Sequence, residues 1–154
     1  MIDEIIKQFA EGAIEQIQKN IREKGAYASG DTSKSLFWKW DGKELIIYST
    51  FKYITVLETG RKPGKFAPVK EIQEWVKVKL NISDPKKVNS IGYAINLKLK
   101  ENGSILYQRG GNSGILSSVA NDQYVADNLT PKLLGALVTF ATNEFLNVNS
   151  NNRA

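Results

Sequence analysis

Along the first twenty-odd residues, Ile2, Ile5, Ile6, Phe9, Ala13, Ile17 and Ile21 recur at three- and four-residue spacing with Glu, Gln and Lys between them. That is the period of an amphipathic helix. The pattern fades at Gly25, a natural helix stop, and AYASGDTSKS, small and polar, reads as a loop. The period then changes. SLFWKW and KELIIYS flank Asp41-Gly42, a strong signal for an antiparallel hairpin. Leu36, Trp38 and Trp40 fall on one face of the first strand and Phe37 and Lys39 on the other, so the aromatics read as core and cross-strand packing.

Three further helix starts are marked by proline. Pro68 opens a helix with Val69, Ile72, Trp75, Val76 and Leu80 on one side. Ser83 or Asp84 caps the next, opened by Pro85, with a stripe of Val88, Ile91, Ala94, Ile95 and Leu99 and with Gly103 past its end. Thr130 and Pro131 open the last, whose broad apolar face is Leu133, Leu134, Leu137, Val138, Ala141, Phe145 and Leu146. Between Gly103 and Thr130 the pattern is poor: ILYQ reads as a short strand, RGGNSG as a flexible loop, and ILSSVANDQYVADN as helix or extended chain. The asparagine-rich NVNSNNRA at the end has the composition of a tail that cannot bury itself and needs a neighbouring subunit or another protein to order it.

The pattern therefore predicts one α+β domain over residues 1–146 and a polar tail over 147–154. Amphipathic N- and C-terminal helices would pack with a small antiparallel sheet, the hairpin around Asp41-Gly42, and with two middle helices. A two-stranded hairpin alone is marginally stable, so the terminal helices are expected to cover it and each other.

Composition narrows the chemistry. The 154 residues include no cysteine and no histidine, which removes disulfides, thiolate ligands, His general bases and His–metal sites from consideration. Acids stand singly, at Asp31, Asp41, Glu44, Glu58 and Asp84, without metal-ligand spacing. Glu58 reads as a local partner for a nearby Arg or Lys. No apolar run reaches the ~20 residues of a membrane span, and MIDEIIKQFAEG is unlike a signal peptide, so a cytosolic site of synthesis is expected. No catalytic, cofactor or metal site is expected.

The loop GRKPGK, residues 60–65, resembles a phosphate-binding loop but is one residue short. Phe66 stands where a Ser or Thr must ligate magnesium, and Pro63 removes a backbone N–H the loop would need. A net charge of +5 from 21 basic and 16 acidic residues leaves a nucleic-acid-binding module open, with Lys62, Lys65, Lys70, Lys77 and Lys79 on phosphates. A small enzyme with an unrecognised site is the remaining alternative.

The amphipathic first helix, Gly30-Asp31-Thr32 leading to Ser35-Leu36, the strand pair, and Tyr53-Ile54-Thr55-Val56-Leu57-Glu58-Thr59-Gly60 together resemble the gene-product-ten-like family of tailed-bacteriophage minor tail and head–tail joining proteins. The similarity continues through the basic, proline-containing loop, the Trp-bearing helix at Glu71–Trp75 and the Gly92-Tyr93-Ala94-Ile95 helix core. It implies a structural virion protein, assembled in the host cytoplasm into an oligomeric ring at the head–tail connection (neck) or tail end. Its partners would be copies of itself and other neck, portal or tail proteins, with DNA contact at most indirect. On that reading Tyr53, Val56 and Leu57 anchor the GRKPGK turn, Arg61, Lys62 and Lys65 project from it as an interface, and Asn147 and Arg153 mark a second contact in the tail.

Overall fold

The computed structural model describes residues 1–24 and 31–151. Eight helices and one hairpin follow in the order α1 (Ile2–Glu23), α2 (Asp31–Lys34), β1 (Leu36–Trp40), β2 (Leu45–Ser49), α3 (Ile54–Thr59), α4 (Val69–Lys79), α5 (Pro85–Asn102), α6 (Ile105–Gln108), α7 (Asp122–Asn128) and α8 (Thr130–Asn151). The α+β class expected from the pattern holds. Gly25, the expected stop of α1, lies outside the described residues, and the loop expected before β1 contains the helical turn α2.

The core is built on α1. Ile6, Phe9, Ala10, Ala13, Ile17 and Ile21 are buried, whereas Ile2 remains exposed at the helix start. Ala13, Ile17 and Ile21 meet Leu36 of β1 and Ile115 and Val119 from the segment before α7, with Ile47, Ile54, Leu57 and Tyr124 packed around them. One polar residue sits within this face. Asn20 is buried, and its Nδ2 donates to the Ile115 carbonyl (3.1 Å) and to Ser118 Oγ (2.8 Å) while its Oδ1 accepts from Gln16 (3.0 Å). A buried amide with its bonds made costs little and fixes where the 115–118 segment docks.

The strands pair antiparallel from Leu36 opposite Ser49 to Trp40 opposite Leu45. Burial alternates as the pattern requires, with Leu36, Trp38 and Trp40 inward and Phe37 and Lys39 outward. The turn spans four residues. Asp41 Oδ1 accepts from the N–H groups of Lys43 and Glu44, both at 2.9 Å, and Gly42 takes φ 90°. Those two bonds hold the Asp41 carboxyl below its ordinary range. Trp40 Nε1 donates to Asp3 at 2.8 Å, tying the hairpin to the start of α1.

The middle helices form a second, smaller layer. Asp84 is the N-cap of α5, accepting from Lys86 N at 3.0 Å ahead of Pro85, and Gly103 closes the helix. Val76 of α4 and Val88 of α5 are buried, and Gly92 of α5 faces Ile72 and Gln73 of α4. Much of the expected α4 stripe stays outside: Val69, Trp75 and Leu80 are exposed. ILYQ, expected as a strand, is the helix α6. Ser104 caps it by accepting from Tyr107 N at 3.2 Å, and four apolar residues carry too little periodicity to separate turn from strand. The ambiguous segment after it resolves into turns and α7, capped by Asn121 through Tyr124 N at 2.8 Å.

Among the described residues no helix is long and apolar enough to cross a membrane.

Candidate functional site

The Tyr53–Gly60 stretch folds as α3, with Tyr53, Val56 and Leu57 half-buried and Leu57 packed on the core. Its one carboxylate meets no cation among the described residues. Glu58 Oε2 accepts from Leu116 N (2.7 Å) and Ser117 N (3.3 Å), and Oε1 accepts from Ser117 Oγ (2.6 Å) and Gly114 N (3.2 Å). The expectation of a local Arg or Lys partner is corrected here: the donors are backbone N–H groups and the Ser117 hydroxyl of a loop more than fifty residues away. Burial pushes the Glu58 carboxyl up, but the bonds from Ser117, Leu116 and Gly114 together outweigh it and hold the group below the ordinary glutamate range. Ser113 adds to the same junction by donating from Oγ to the Leu57 carbonyl at 2.7 Å and from its N–H to the Glu58 carbonyl at 2.9 Å. Glu58 is thus the clamp that orders residues 113–117, and through them Ile115 and Val119 reach the core.

GRKPGK is a docked turn. Gly60 takes φ 74°, and a Cβ there would collide with the backbone nitrogen of Tyr107 and with Ser104 Oγ. Arg61 N donates to Ser104 Oγ (2.9 Å), Ser104 N donates to the Arg61 carbonyl (2.9 Å), and Gly64 N donates to the Lys100 carbonyl at the end of α5 (2.8 Å). Asn96, buried on α5, completes the seat: its Oδ1 accepts from Ala67 N (2.6 Å) and its Nδ2 donates to the Ala67 carbonyl (2.8 Å). Phe66 stacks on Tyr93 with ring centres 6.4 Å apart, and Lys100 Nζ lies 4.5 Å from the Phe66 ring centre.

The three basic residues expected to project together do not. Lys62 and Lys65 are exposed, but Arg61 is half-buried and its guanidinium donates to the Phe66 carbonyl at 2.8 Å. The turn spends Arg61 on its own closure because residues 61 and 66 face each other across it. Asn147 lies on α8, which runs on through the expected tail to Asn151; Asn147 is exposed and its carbonyl accepts from Ser150 Oγ at 2.8 Å. Arg153 lies outside the described residues. Among the described residues no hydrogen bond or ion pair joins Asn147 to Lys62 or Lys65.

One further surface feature is the apolar face expected on the last helix. Leu129, Leu133 and Ala136 are half-buried, where the start of α8 meets α7 and α1. Beyond Ala136 the side chains described as far as Ser150 are all exposed. They include Leu137, Val138, Phe140, Phe145, Leu146 and Val148, which with Leu134 are 54–69% exposed. The other feature is an open apolar groove of roughly 570 Å³ beside the hairpin, walled by Phe9, Leu45, Ile47, Ile54, Leu116 and Val125. Among the described residues no group of three or more Asp or Glu side chains is placed to hold a metal ion.

Comparisons with protein families, with curated proteins and with solved structures find no match to this chain.

Proposed function

We propose that the chain is a structural protein of a tailed phage that assembles into a ring at the neck or tail end and works through protein–protein surfaces. The observation that carries the assembly reading is the outer half of α8. Monomeric proteins rarely leave a contiguous apolar surface of this kind in water, and such surfaces mark interaction sites. With Lys132 and Glu144 as the charged residues along its 22, α8 has little to keep it soluble alone. The phage assignment rests on the resemblance carried by Tyr53–Gly60 and the elements around it. Two features support a building-block role for that stretch: Glu58 clamps a distant loop, and GRKPGK is seated by backbone bonds, so both make a rigid frame that a repeated interface needs. Portal, neck or tail proteins are the expected neighbours, and Lys62 and Lys65 the expected charged contacts to them.

Mass measurement and electron microscopy of the purified protein test the assembly; rings or closed oligomers are expected. Labelling of tailed virions with an antibody to the chain should then mark the neck or the tail end. A protein that stays monomeric across the micromolar range, or virions without the label, would overturn the proposal.

A further inference from the structure

The positive charge of the chain is gathered in one layer. From Arg61 to Asn102 stand ten basic and four acidic residues, a net of +6, while the other 112 residues carry eleven and twelve, a net of −1. That stretch is the GRKPGK turn with α4 and α5. Between the two helices runs a groove of about 380 Å³ whose lining includes Phe66, Val69, Ile72, Gln73, Asn89 and Tyr93. We infer that this groove binds a single-stranded nucleic acid, with a base against its aromatic rings and phosphates on the lysines that border it.

Helix geometry places those lysines. On α5, Lys86, Tyr93 and Lys100 are seven residues apart, so at 3.6 residues per turn they lie within about 40° of one another. The row is about 21 Å long, the length of about six stacked nucleotides. On α4, Lys70 and Lys77 stand one turn before and one turn after Gln73, on the side of it away from Ile72. Gln73 Nε2 donates across to Asn89 Oδ1 at 2.7 Å, so the two rows border one groove. All four lysines are exposed. Lys79 falls about 120° round α4 from Gln73 and does not join them. Of the four acids in the layer, only Glu74 stands beside these lysines. Glu71 lies about 160° round α4 from Gln73, Asp84 is spent on the α5 cap, and Glu101 pairs with Lys98 at 3.7 Å.

Charge by itself would suit any polyanion; the rings decide among them. Tyr93 is 63% exposed and Phe66 45%, and the two stack with their planes 29° apart while Lys100 Nζ lies over Phe66. An aromatic face left open beside cations is the platform on which an unpaired base stacks. A duplex keeps its bases stacked on each other and offers only their edges. An acidic peptide brings charge but no obligatory flat face for the ring. The bond between Gln73 and Asn89 leaves Gln73 Oε1 to accept from a base edge and Asn89 Nδ2 to donate to one.

Fluorescence anisotropy with the full chain and a labelled single-stranded oligodeoxynucleotide of about 16 nucleotides tests the inference. The logarithm of the binding constant should fall against the logarithm of salt with a slope near −3, as expected for about four phosphate contacts. Tyr93→Ala should weaken binding roughly 5- to 100-fold with the slope unchanged, and Tyr93→Phe, which keeps the ring, should bind as wild type does. Replacing Lys86 and Lys100 together by Gln should make the slope shallower by about 1.4, and Lys79→Gln should leave binding as it is. Circular dichroism checks that each variant is folded. Should Tyr93→Ala melt early, the lysine pair carries the test, and an unchanged slope overturns the inference. No binding at about 50 mM salt, a folded Tyr93→Ala that binds as wild type, or tighter binding of the matching duplex would each overturn it. The assembly reading does not enter: rings that bind no strand would sink this inference alone, and a monomer that binds one would leave it standing.

Discussion

α1 and α8 are each 22 residues long, and α8 is the more apolar of the two, yet α1 builds the core and α8 stands largely outside it. The difference lies in how the apolar residues are partnered. α1 carries Asp3, Glu4, Lys7, Glu11, Glu15 and Lys19 on its outer side and meets both strands and the 115–119 segment on its inner side. α8 meets its own subunit along Leu133 and Ala136, just after Leu129 at the end of α7, and leaves the described side chains beyond Ala136 exposed. Hydrophobic content says that a helix must be covered, and only the arrangement of neighbours says by whom.

The sharpest way to break this comparison is to make the same kind of cut in both helices. Ile21 is fully buried in α1, so Ile21→Ala should cost about 3–4 kcal/mol of stability, the usual toll of a large-to-small change in a packed core. Phe145→Ala in α8 removes a larger side chain but one that is 69% exposed, and should cost the monomer less than about 0.5 kcal/mol. Denaturant melts of the two variants under monomeric conditions check both. Equal losses would mean that α8 contributes to the fold of its own subunit as α1 does.

A second cut compares the clamp with the helices. Glu58 receives backbone N–H bonds from Gly114, Leu116 and Ser117, and Glu58→Ala should cost about 2–3 kcal/mol, since bonds to a charged acceptor are the stronger kind and the donors are left without it. The pH dependence has a fixed sign. The folded-state pKa is lowered from 4.5, so the carboxylate's contribution is complete above the unfolded value and is lost as pH falls through the lower, folded one. The stability gap between wild type and Glu58→Gln should therefore be largest near neutral pH and shrink as pH falls below 4.5 toward the lowered, folded-state value. A gap independent of pH would show that the packing of residue 58, and not its charge, orders the 113–117 loop.

How much of this was legible before the structure follows the range of each interaction. The α1 stripe, the face assignment of β1, the Asp84 cap and the Gly103 stop depend on residues within a turn or two, and the sequence carries them openly. Glu58 depends on donors at 114–117, and no local pattern connects positions 58 and 116. Asn20 and Asn96 look like surface residues within their helices; only the tertiary fold reveals that one bonds Ile115 and the other Ala67. ILYQ reads as a strand in sequence but forms α6, because its four residues are held by the flanking Ser104 cap and not by periodicity. The apolar face of α8 from Leu133 to Leu146 is legible in its spacing, whereas the groove beside the hairpin assembles from α1, both strands, α3 and the 116–125 segment and exists only once they meet.

The smallest effect on folding is expected at the turn. Lys62 and Lys65 are exposed and carry no bond that holds GRKPGK in place, while Arg61 closes the turn through the Phe66 carbonyl. Replacing Lys62 and Lys65 by Glu should change stability by less than about 0.5 kcal/mol, as exposed charges generally do. Adding Arg61→Glu should cost roughly 1–2 kcal/mol more, because it removes the donor to the Phe66 carbonyl. Thermal melts of the double and triple variants separate the two roles. If Lys62 and Lys65 contact an acidic neighbour, the double variant should assemble normally with itself through α8 yet lose a salt-sensitive contact to that neighbour. Self-assembly that fails in the double variant would place the turn, and not only α8, in the contact between copies. A double variant that binds the neighbour as wild type does would leave those lysines a solvated edge of a turn whose work is done by its backbone.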